Sequence, residues 1–244
     1  IVVFDVSGVI PGDVVIEHGR ISIMGQTAPG AGVTIAGMLS TRYNPPQPIN
    51  DVVVRFVRVR PTGAQGSGGD AIQFSQVRRV VLDHVSCSWA CDETIDVYSA
   101  RDVTVQWCSI EESAVAGHPK GRHNCGLISG PRGERVSIHH NLFAHHARRC
   151  PAIANGPADV RNNVIYNFRD GLSHEGHRPN DRGFNLIGNY YKRGPSDPKI
   201  FPFCFHGDVS YYLRDNFIEG VGIIQDPWAE SNKLPGLKYY AQRG

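Results

Sequence analysis

A short alternating pattern rich in β-branched residues recurs along the chain and constrains the fold more than any other feature. It is clearest in three segments, Val80–Cys87, Val103–Ile110 and Val136–Phe143. The same pattern returns near residues 160, 186 and 213, at intervals of about 22 to 33 residues. Repeats of this length indicate a solenoid, in which each repeat forms one unit that stacks on the next.

One column of the aligned repeats is rich in asparagine. It reads Val85, Cys108, Asn141, Asn163, Asn189 and Asn216. If equivalent strands stack about 4.8 Å apart, asparagine side chains can hydrogen-bond along the stack and satisfy one another. Asparagine also favours turns, but four in one register favour a ladder. Because the repeats contain strands and turns but no helical pattern, the sequence predicts an all-β parallel β-helix.

The composition fits one repetitive domain with many tight turns. The 244 residues include 27 glycines and 16 prolines, and 41% of them are hydrophobic, enough for a substantial core. We predict a single β-helix domain over residues 1–244, with a processed or trimmed N terminus because Ile1–Val6 already reads as a strand. Residues 226–244 lose the repeat and are expected to pack on the solenoid as a C-terminal segment.

The charge and hydropathy patterns exclude two classes of partner. A net charge of +2 gives no global field that would favour nucleic acid. No run of eighteen apolar residues occurs, so no transmembrane helix is expected. We therefore expect no nucleic-acid partner and no membrane partner.

The cysteines and histidines form no recognisable zinc motif. The histidine pairs His139–His140 and His145–His146 lack a carboxylate or cysteine at a familiar spacing. The cysteines, whose pairing stays open at this point, are Cys87, Cys91, Cys108, Cys125, Cys150 and Cys204.

Three aspartates form a candidate site for a hard cation. Asp70 and Asp92 are 22 residues apart, close to one repeat, so adjacent strands could bring their carboxylates together. Ca²⁺ takes six to eight oxygen ligands at about 2.3–2.6 Å. On a fully extended strand Asp92 and Asp96 would lie roughly 13 Å apart, so sharing one ion requires a bend between them. Surface turn aspartates would show the same spacing, and spacing alone does not separate the two interpretations.

Basic residues cluster in the middle of the chain. They include Arg132, Arg135, Arg148, Arg149 and Arg161. Such a local patch on a solenoid suits an acidic polymer better than a duplex. Residues 114–124 lengthen one repeat, and insertions on one face of a solenoid commonly carry its binding site.

Several of these segments together resemble polysaccharide lyase family 1, the pectate lyases. The resemblance covers most of residues 1–168 and is carried by Ile23–Gly30, Val81–Ser86, Val103–Cys108, and His139–Phe143 followed by Arg149-Cys150-Pro151. It implies a right-handed, single-stranded parallel β-helix. It also implies a secreted, monomeric lyase that requires Ca²⁺ and cleaves polygalacturonate, the demethylated form of pectin, by β-elimination to 4,5-unsaturated products.

The resemblance extends to individual site residues. Asp70 is similar to the family's first calcium aspartate, and Asp92 and Asp96 are similar to the pair that follows one coil later. Arg149, in an Arg-x-Pro motif, is similar to the catalytic base. An arginine is an awkward base, because its unperturbed pKa exceeds about 12 and only a cationic neighbourhood would lower it.

The chain departs from the family pattern three residues after the motif proline, where a second arginine usually grips the substrate carboxylate. Ala154 occupies that position. We expect Arg148 or Arg132 to take over this contact. Near the calcium, the insertion offers Lys120 or His123 as the basic residue that contacts the substrate.

Three alternatives remain open at this point. A lyase of the same family could act on methylated pectin without calcium, although three retained aspartates argue against it. A β-helical hydrolase would use several carboxylates as acid and base, but its usual Asn-Thr-Asp, Asp-Asp and Gly-His-Gly motifs are missing. A non-catalytic β-helix that binds acidic glycans is consistent with Ala154.

Overall fold

The computed structural model describes residues 1–62, 69–174, 183–204, 210–224 and 242–243. Within them one 3₁₀ turn occurs, at Gly25–Thr27, and every other regular element is a strand. The strands, in chain order, are β1 Val2–Val3, β2 Gly8–Pro11, β3 Val14–Ile16, β4 Ile21–Met24, β5 Val33–Ala36, β6 Leu39–Thr41, β7 Ile49–Arg55, β8 Val57–Val59, β9 Ile72–Ser75, β10 Val77–Asp83, β11 Ser86–Ser88, β12 Glu93–Tyr98, β13 Arg101–Gln106, β14 Ser109–Glu111, β15 Cys125–Ser129, β16 Glu134–His139, β17 Leu142–Ala144, β18 Ala152–Ile153, β19 Ala158–Arg161, β20 Val164–Tyr166, β21 Asp170–His174, β22 Phe184–Ile187, β23 Tyr190–Lys192, β24 Phe201–Cys204, β25 Ser210–Arg214, β26 Phe217–Ile218, β27 Gly222–Ile223 and β28 Gln242–Arg243.

Apart from β27, every third strand joins the same sheet, so the chain winds as a coil with three faces. Sheet A is β1-β4-β7-β10-β13-β16-β19-β22-β25-β28, sheet B is β2-β5-β8-β11-β14-β17-β20-β23-β26-β27, and sheet C is β24-β21-β18-β15-β12-β9-β6-β3. Among the described strands, every neighbouring pair is parallel except β26 and β27. This confirms the predicted all-β parallel β-helix. Because connections between parallel strands of one sheet are almost always right-handed, a right-handed coil is expected.

Stacked apolar columns form the core. Leu82 in β10 pairs in register with Val54 in β7 and Val105 in β13, and all three side chains are fully buried. The alternating pattern thus places one set of residues inside the coil and the next set on its surface, as the two-residue period of a strand requires. Burial of these columns on all three faces drives folding.

The predicted asparagine ladder forms the corner between sheets A and B. Asn141 Nδ2 donates to Asn163 Oδ1 at 3.0 Å, and Asn163 and Asn189 repeat that bond to the next coil. Each of these amides also donates to a backbone carbonyl of the preceding coil, as Asn163 does to Ile138 O at 2.9 Å. The residue before the ladder has positive φ, for example 57° at His140, which turns the chain from one sheet into the next. The ladder therefore satisfies buried polar groups at every turn of this corner.

All six cysteines are buried and none of them forms a disulfide, which answers the question that their spacing left open. Burial raises the pKa of the Cys108 thiol to about 12 and that of Cys150 well above its usual range. These thiols are therefore small apolar core residues in the protonated form.

Most of the predicted C-terminal segment, residues 226–244, lies outside the described residues. Of this segment, Gln242–Arg243 is described and pairs in parallel with Ser210–Tyr211 at the end of sheet A. The part of the chain that the structure describes contains no helical segment with the length and hydrophobicity of a membrane span.

Candidate active site

Asp70 and Glu93 lie level with each other on adjacent coils of sheet C. The pairing of β9 with β12 sets Ile72 opposite Ile95, so the offset between these coils is 23 residues. The backbone N–H of Glu93 donates to Asp70 Oδ1 at 3.0 Å. The sequence predicted that Asp92, one coil after Asp70, would lie close to it, and Asp92 does so from a bend just before β12. The register adds Glu93, which is level with Asp70.

Four carboxylates gather around the start of β12. Oxygens of Asp70, Asp92 and Glu93 all lie within 4.8 Å of one another. Burial raises the pKa of Asp70 well above its usual range, and the nearby charges of Asp96 and Asp92 raise it further. Burial, followed by the charge of Asp92, raises the pKa of Asp96 to about 7. The three predicted metal aspartates are therefore close enough to repel one another, and Glu93 joins them.

The cluster meets the requirements of a hard divalent cation. Asp92 Oδ1 and Asp96 Oδ1 are buried and accept no hydrogen bond from the described residues. Buried, unsatisfied carboxylate oxygens are costly unless a cation or donors compensate them. Several such oxygens from adjacent coils are the donor set that Ca²⁺ prefers.

Arg149 reaches this cluster from another coil. Its Nη1 forms an ion pair with Glu93 Oε1, although β15 lies between β12 and the coil that carries Arg149. Arg149 has φ of 62°, and its carbonyl would lie 2.6 Å from a Cβ placed on Gly126. Gly126 therefore permits the close approach of backbones that sets Arg149 in place.

The insertion between β14 and β15 covers one side of the cluster. His118 Nε2 lies 3.4 Å from Asp92 Oδ2, and His123 Nε2 lies 3.5 Å from Asp92 Oδ1. Burial lowers the pKa of His123, and among the neighbouring charges Asp92 raises it while His118, Arg148 and Lys120 lower it. Of the predicted substrate-binding residues, His123 thus lies beside one carboxylate of the cluster, and the charges of Lys120 and Arg148 act on that histidine.

A buried polar network fixes the base of this insertion. His146 accepts a hydrogen bond from Ser113 Oγ at Nδ1 (2.7 Å) and donates from Nε2 to the carbonyl of Ile110 (2.8 Å). Asn124 Nδ2 donates to the Ser113 carbonyl at 2.6 Å. Burial lowers the pKa of His146 to about 4, so the ring is neutral at neutral pH. Both ends of the insertion are therefore tied to the coil.

Arg132 is not brought to the carboxylate cluster. It lies in the turn after β15, whose first residue, Cys125, is level with Arg148. The strand between them corresponds to a separation of roughly 13 Å. Ala154, at the position of the missing second arginine, is also at that far end: its N–H donates to the Ser129 carbonyl, and the side chain is 1% exposed.

Sequence reasoning missed Glu93 and His118. Glu93 follows Asp92 directly, and the signal that could have identified it is its 23-residue offset from Asp70, which the register of the buried columns fixes. His118 and His123 share a spacing of five residues in the insertion, and their rings lie 3.7 Å apart between centroids.

A three-faced parallel β-helix with a carboxylate cluster and an arginine on one outer face is the class of protein that the sequence resemblance implied. The chain is 36% identical over 226 residues to a probable pectate lyase C of Aspergillus terreus, covering 88% of this chain and 51% of that protein. It is 34% identical over 227 residues to a probable pectate lyase C of Aspergillus fumigatus, covering 90% and 50%. The chain thus spans about half the length of the curated relatives it matches.

The fold comparison agrees. A solved pectate lyase, described for its substrate specificity and anti β-elimination mechanism, has a TM-score of 0.60 at 16% identity, covering 94% of this chain and 65% of that chain. This likeness concerns the fold alone. No protein-family model matches the chain. The sequence comparisons confirm the resemblance to pectate lyases over most of this chain.

Proposed function

We propose that this chain carries the active site of a calcium-dependent pectate lyase that cleaves polygalacturonate by β-elimination. One observation carries the proposal: Arg149 and the four carboxylates of Asp70, Asp92, Glu93 and Asp96 meet on one outer face of the coil. The pectate lyase names of the relatives support the same reaction class.

Asp70, Asp92 and Asp96 would hold the ion, with Glu93 as a fourth acidic neighbour. When bound, Ca²⁺ would neutralise the C6 carboxylate of a uronate and make the proton on the adjacent C5 easier to remove. The chain's own cations would complete this neutralisation. His123 lies beside Asp92, and Lys120 and Arg148 are close enough for their charges to act on His123, so these three residues would orient the substrate carboxylate there.

Arg149 would take the C5 proton in its neutral form, after its own proton has passed to solvent, and the positive charges of a bound ion and of Arg148 would favour that form. As the C5–H bond breaks, its electron pair forms the C4=C5 double bond, the C4–O4 bond breaks, and the departing O4 takes up a proton from solvent. Glu93 would hold the guanidinium on this face of the coil until the substrate arrives. The elimination leaves an unsaturated uronate at the new end of one fragment.

Arg132 would bind a substrate carboxylate at the far end of the strands rather than at the cleaved bond. That end also contains Ala154, where the family's second arginine is missing. The Asn155 amide, in the orientation that satisfies both of its polar atoms, accepts a hydrogen bond from the backbone N–H of Arg132 at 2.7 Å. We further propose that the protein acts as a secreted monomer, because its substrate is an extracellular polysaccharide.

The test is turnover of polygalacturonate, followed by the absorbance of the 4,5-unsaturated product. We expect activity with calcium, loss in excess EGTA, and loss in Arg149→Ala and Arg149→Lys, whereas Arg214→Ala, an exposed arginine far along the coil, keeps it. Unchanged activity in EGTA would exclude a role for calcium. Wild-type rates in both Arg149 variants would exclude Arg149 as the catalytic base. Faster turnover of methylated than demethylated substrate favours a pectin lyase.

A second candidate is a β-helix that binds acidic glycans without cleaving them. The buried Ala154 is the observation that favours it, because a side chain that usually grips the substrate is missing. Tight binding of polygalacturonate without any unsaturated product, in the presence of calcium, would support this second function.

A further inference from the structure

A cavity lined by three arginines lies where sheet C turns into sheet A. Its volume is about 310 Å³, and it is lined by Tyr43, Asn44, Pro48, Gln76, Arg78, Tyr98, Ser99, Arg101 and Arg132. None of the described residues that line the cavity is acidic. A volume of this size is at the lower end of the range of small-molecule sites.

Two of the arginines are stacked directly on each other. Arg78 in β10 pairs in register with Arg101 in β13. Like charges at directly opposed positions of a sheet destabilise it. Arg101 has a carboxylate neighbour in Glu134, 3.4 Å away, but Glu134 also pairs with Arg135 at 2.6 Å. Arg78 and Arg132 have no carboxylate partner among the described residues.

In the neighbouring column of side chains, by contrast, arginines do have carboxylate partners. One residue further along the same strands, charges alternate as Asp51, Arg79, Asp102 and Arg135. Arg79 binds Asp51 and Arg135 binds Asp102, each with an Nε–Oδ1 distance of 2.6 Å. In this column the charge of each arginine is thus neutralised by a carboxylate from the preceding coil.

The cavity adjoins the candidate active site. Tyr98, one of its walls, follows Asp96 by two residues in β12, so both side chains leave the same face of sheet C about 6.6 Å apart along the strand. The Tyr98 ring lies against Gly130 of the next coil, where a Cβ would come within 3.0 Å of its Cδ2 atom. An extended ligand at the carboxylate cluster can therefore continue into the cavity.

We propose that the Arg78–Arg101–Arg132 cavity is a second carboxylate-binding site, which takes a uronate of the same polysaccharide at a distance from the cleaved bond. Guanidinium groups bind carboxylates through paired, charge-assisted hydrogen bonds. The bound carboxylate would supply the negative charge that the stacked arginines lack, and Tyr98 and Tyr43 would line the sugar ring. This inference rests on the proposed function, because it assigns the ligand from the same substrate.

The test is equilibrium binding of oligogalacturonates by calorimetry in two conditions without turnover: excess EGTA, and the Arg149→Ala variant with calcium. We expect Arg78→Gln and Arg132→Gln to weaken binding of a hexamer about five- to tenfold, the loss of one charge-assisted contact on a partly exposed surface. Arg79→Gln, which removes the same charge one residue away but outside the cavity, is the matched control and should stay within about twofold.

Equal losses in Arg78→Gln and Arg79→Gln, or an unchanged hexamer affinity in Arg78→Gln, would overturn the cavity assignment even if the protein is an active lyase. Conversely, the wild-type protein could give no unsaturated product while its affinity for the hexamer still depends on Arg78 and Arg132. That result would exclude the lyase function and support the uronate site. The two failures therefore give different results.

Discussion

Arg149 and Glu93 form an ion pair between coils that are separated by a third coil. The Glu93 side chain is 6% exposed and that of Arg149 is 19% exposed, so the pair is largely removed from water. A partner left alone in such a position is costly because its charge stays desolvated. The ion pair is thus a link between an acid of the proposed metal site and the proposed base.

This pair should behave as a coupled unit in unfolding. We expect Glu93→Gln to lower the free energy of unfolding by about 3 kcal/mol, and Glu93→Gln/Arg149→Gln together to recover much of that loss. Urea unfolding of the two single variants and the double variant measures the coupling. The exposed pair Asp102 and Arg135 is the control and should show far weaker coupling. Additive losses at Glu93 and Arg149 would show that the ion pair contributes nothing.

Replacing Asp96 should have opposite effects without and with calcium. Its folded pKa of about 7 lies above the ordinary value of 3.8, so the cost of its charge is complete above pH 7 and disappears as the pH falls toward 4. In EGTA at pH 8, Asp96→Asn should therefore raise the free energy of unfolding by up to about 4 kcal/mol, and at pH 4 the gain should be small.

Calcium should act in the opposite direction and stabilise the wild-type protein more than the variant. At a calcium concentration about a hundredfold above its dissociation constant, the wild-type protein gains about 2.7 kcal/mol through binding, and Asp96→Asn gains less. Thermal unfolding with and without calcium provides the comparison, and Asp102→Asn, which changes an exposed aspartate, should respond to calcium as the wild-type protein does. An equal calcium response in Asp96→Asn would exclude Asp96 as a ligand.

The asparagine ladder predicts a large cost for a small truncation. Asn163 Oδ1 accepts from Asn141, and its amide donates to Ile138 O and Asn189 Oδ1, all in the buried corner. Asn163→Ala should lower the free energy of unfolding by about 3 kcal/mol, because several buried partners lose their bonds at once. Asn185→Ala, at an exposed position of β22, is the control with little expected change. Similar small losses at both positions would contradict a stabilising ladder.

His146 should make stability fall in acid. Its folded pKa of about 4 lies below the ordinary value of 6.5, so the unfolded chain binds the extra proton between these pH values. The contribution of the neutral ring is complete above pH 6.5 and decreases by roughly 2–3 kcal/mol as the pH falls to 4.

The comparison with His146→Gln isolates this titration from those of the carboxylates. The substituted side chain keeps an amide that can donate toward the Ile110 carbonyl, so the variant should be less stable at pH 7 but lose less stability on acidification. Urea midpoints measured from pH 7 to pH 4 give both slopes. Parallel slopes for the variant and the wild-type protein would show that His146 does not titrate in this range.

The repeat was sufficient to predict the architecture because its pattern reflects how the backbone is arranged in each coil. Apolar alternation in each unit sets the inward face, and the column from Asn141 to Asn216 sets the corner, so neither depends on detailed side-chain packing. The same reasoning brought Asp70, Asp92 and Asp96 to one region. It missed Glu93, the acid that the register sets level with Asp70, because a repeat length read from sequence is uncertain by one residue.

The parts that sequence could not supply depend on turns. Glu93 is oriented by the bend at Asp92, and His118 by the path of an insertion without a repeat pattern. Arg132 looked equivalent to Arg148 in sequence, but a whole strand separates their positions. The distance between two charged side chains that are near in sequence can be predicted only when the path of the turn between them is known.

The hydrogen bonds between parallel strands have a further consequence for how such a surface can change. Successive coils place their outward side chains at intervals set by main-chain geometry, about 4.8 Å, whatever those side chains are. An exposed residue such as Arg78 can thus be exchanged for a different chemical group without moving its neighbours on the coils above and below. The backbone keeps the spacing of the outward side chains fixed while each side chain can be replaced separately, so affinity for a new polymer can arise by single substitutions.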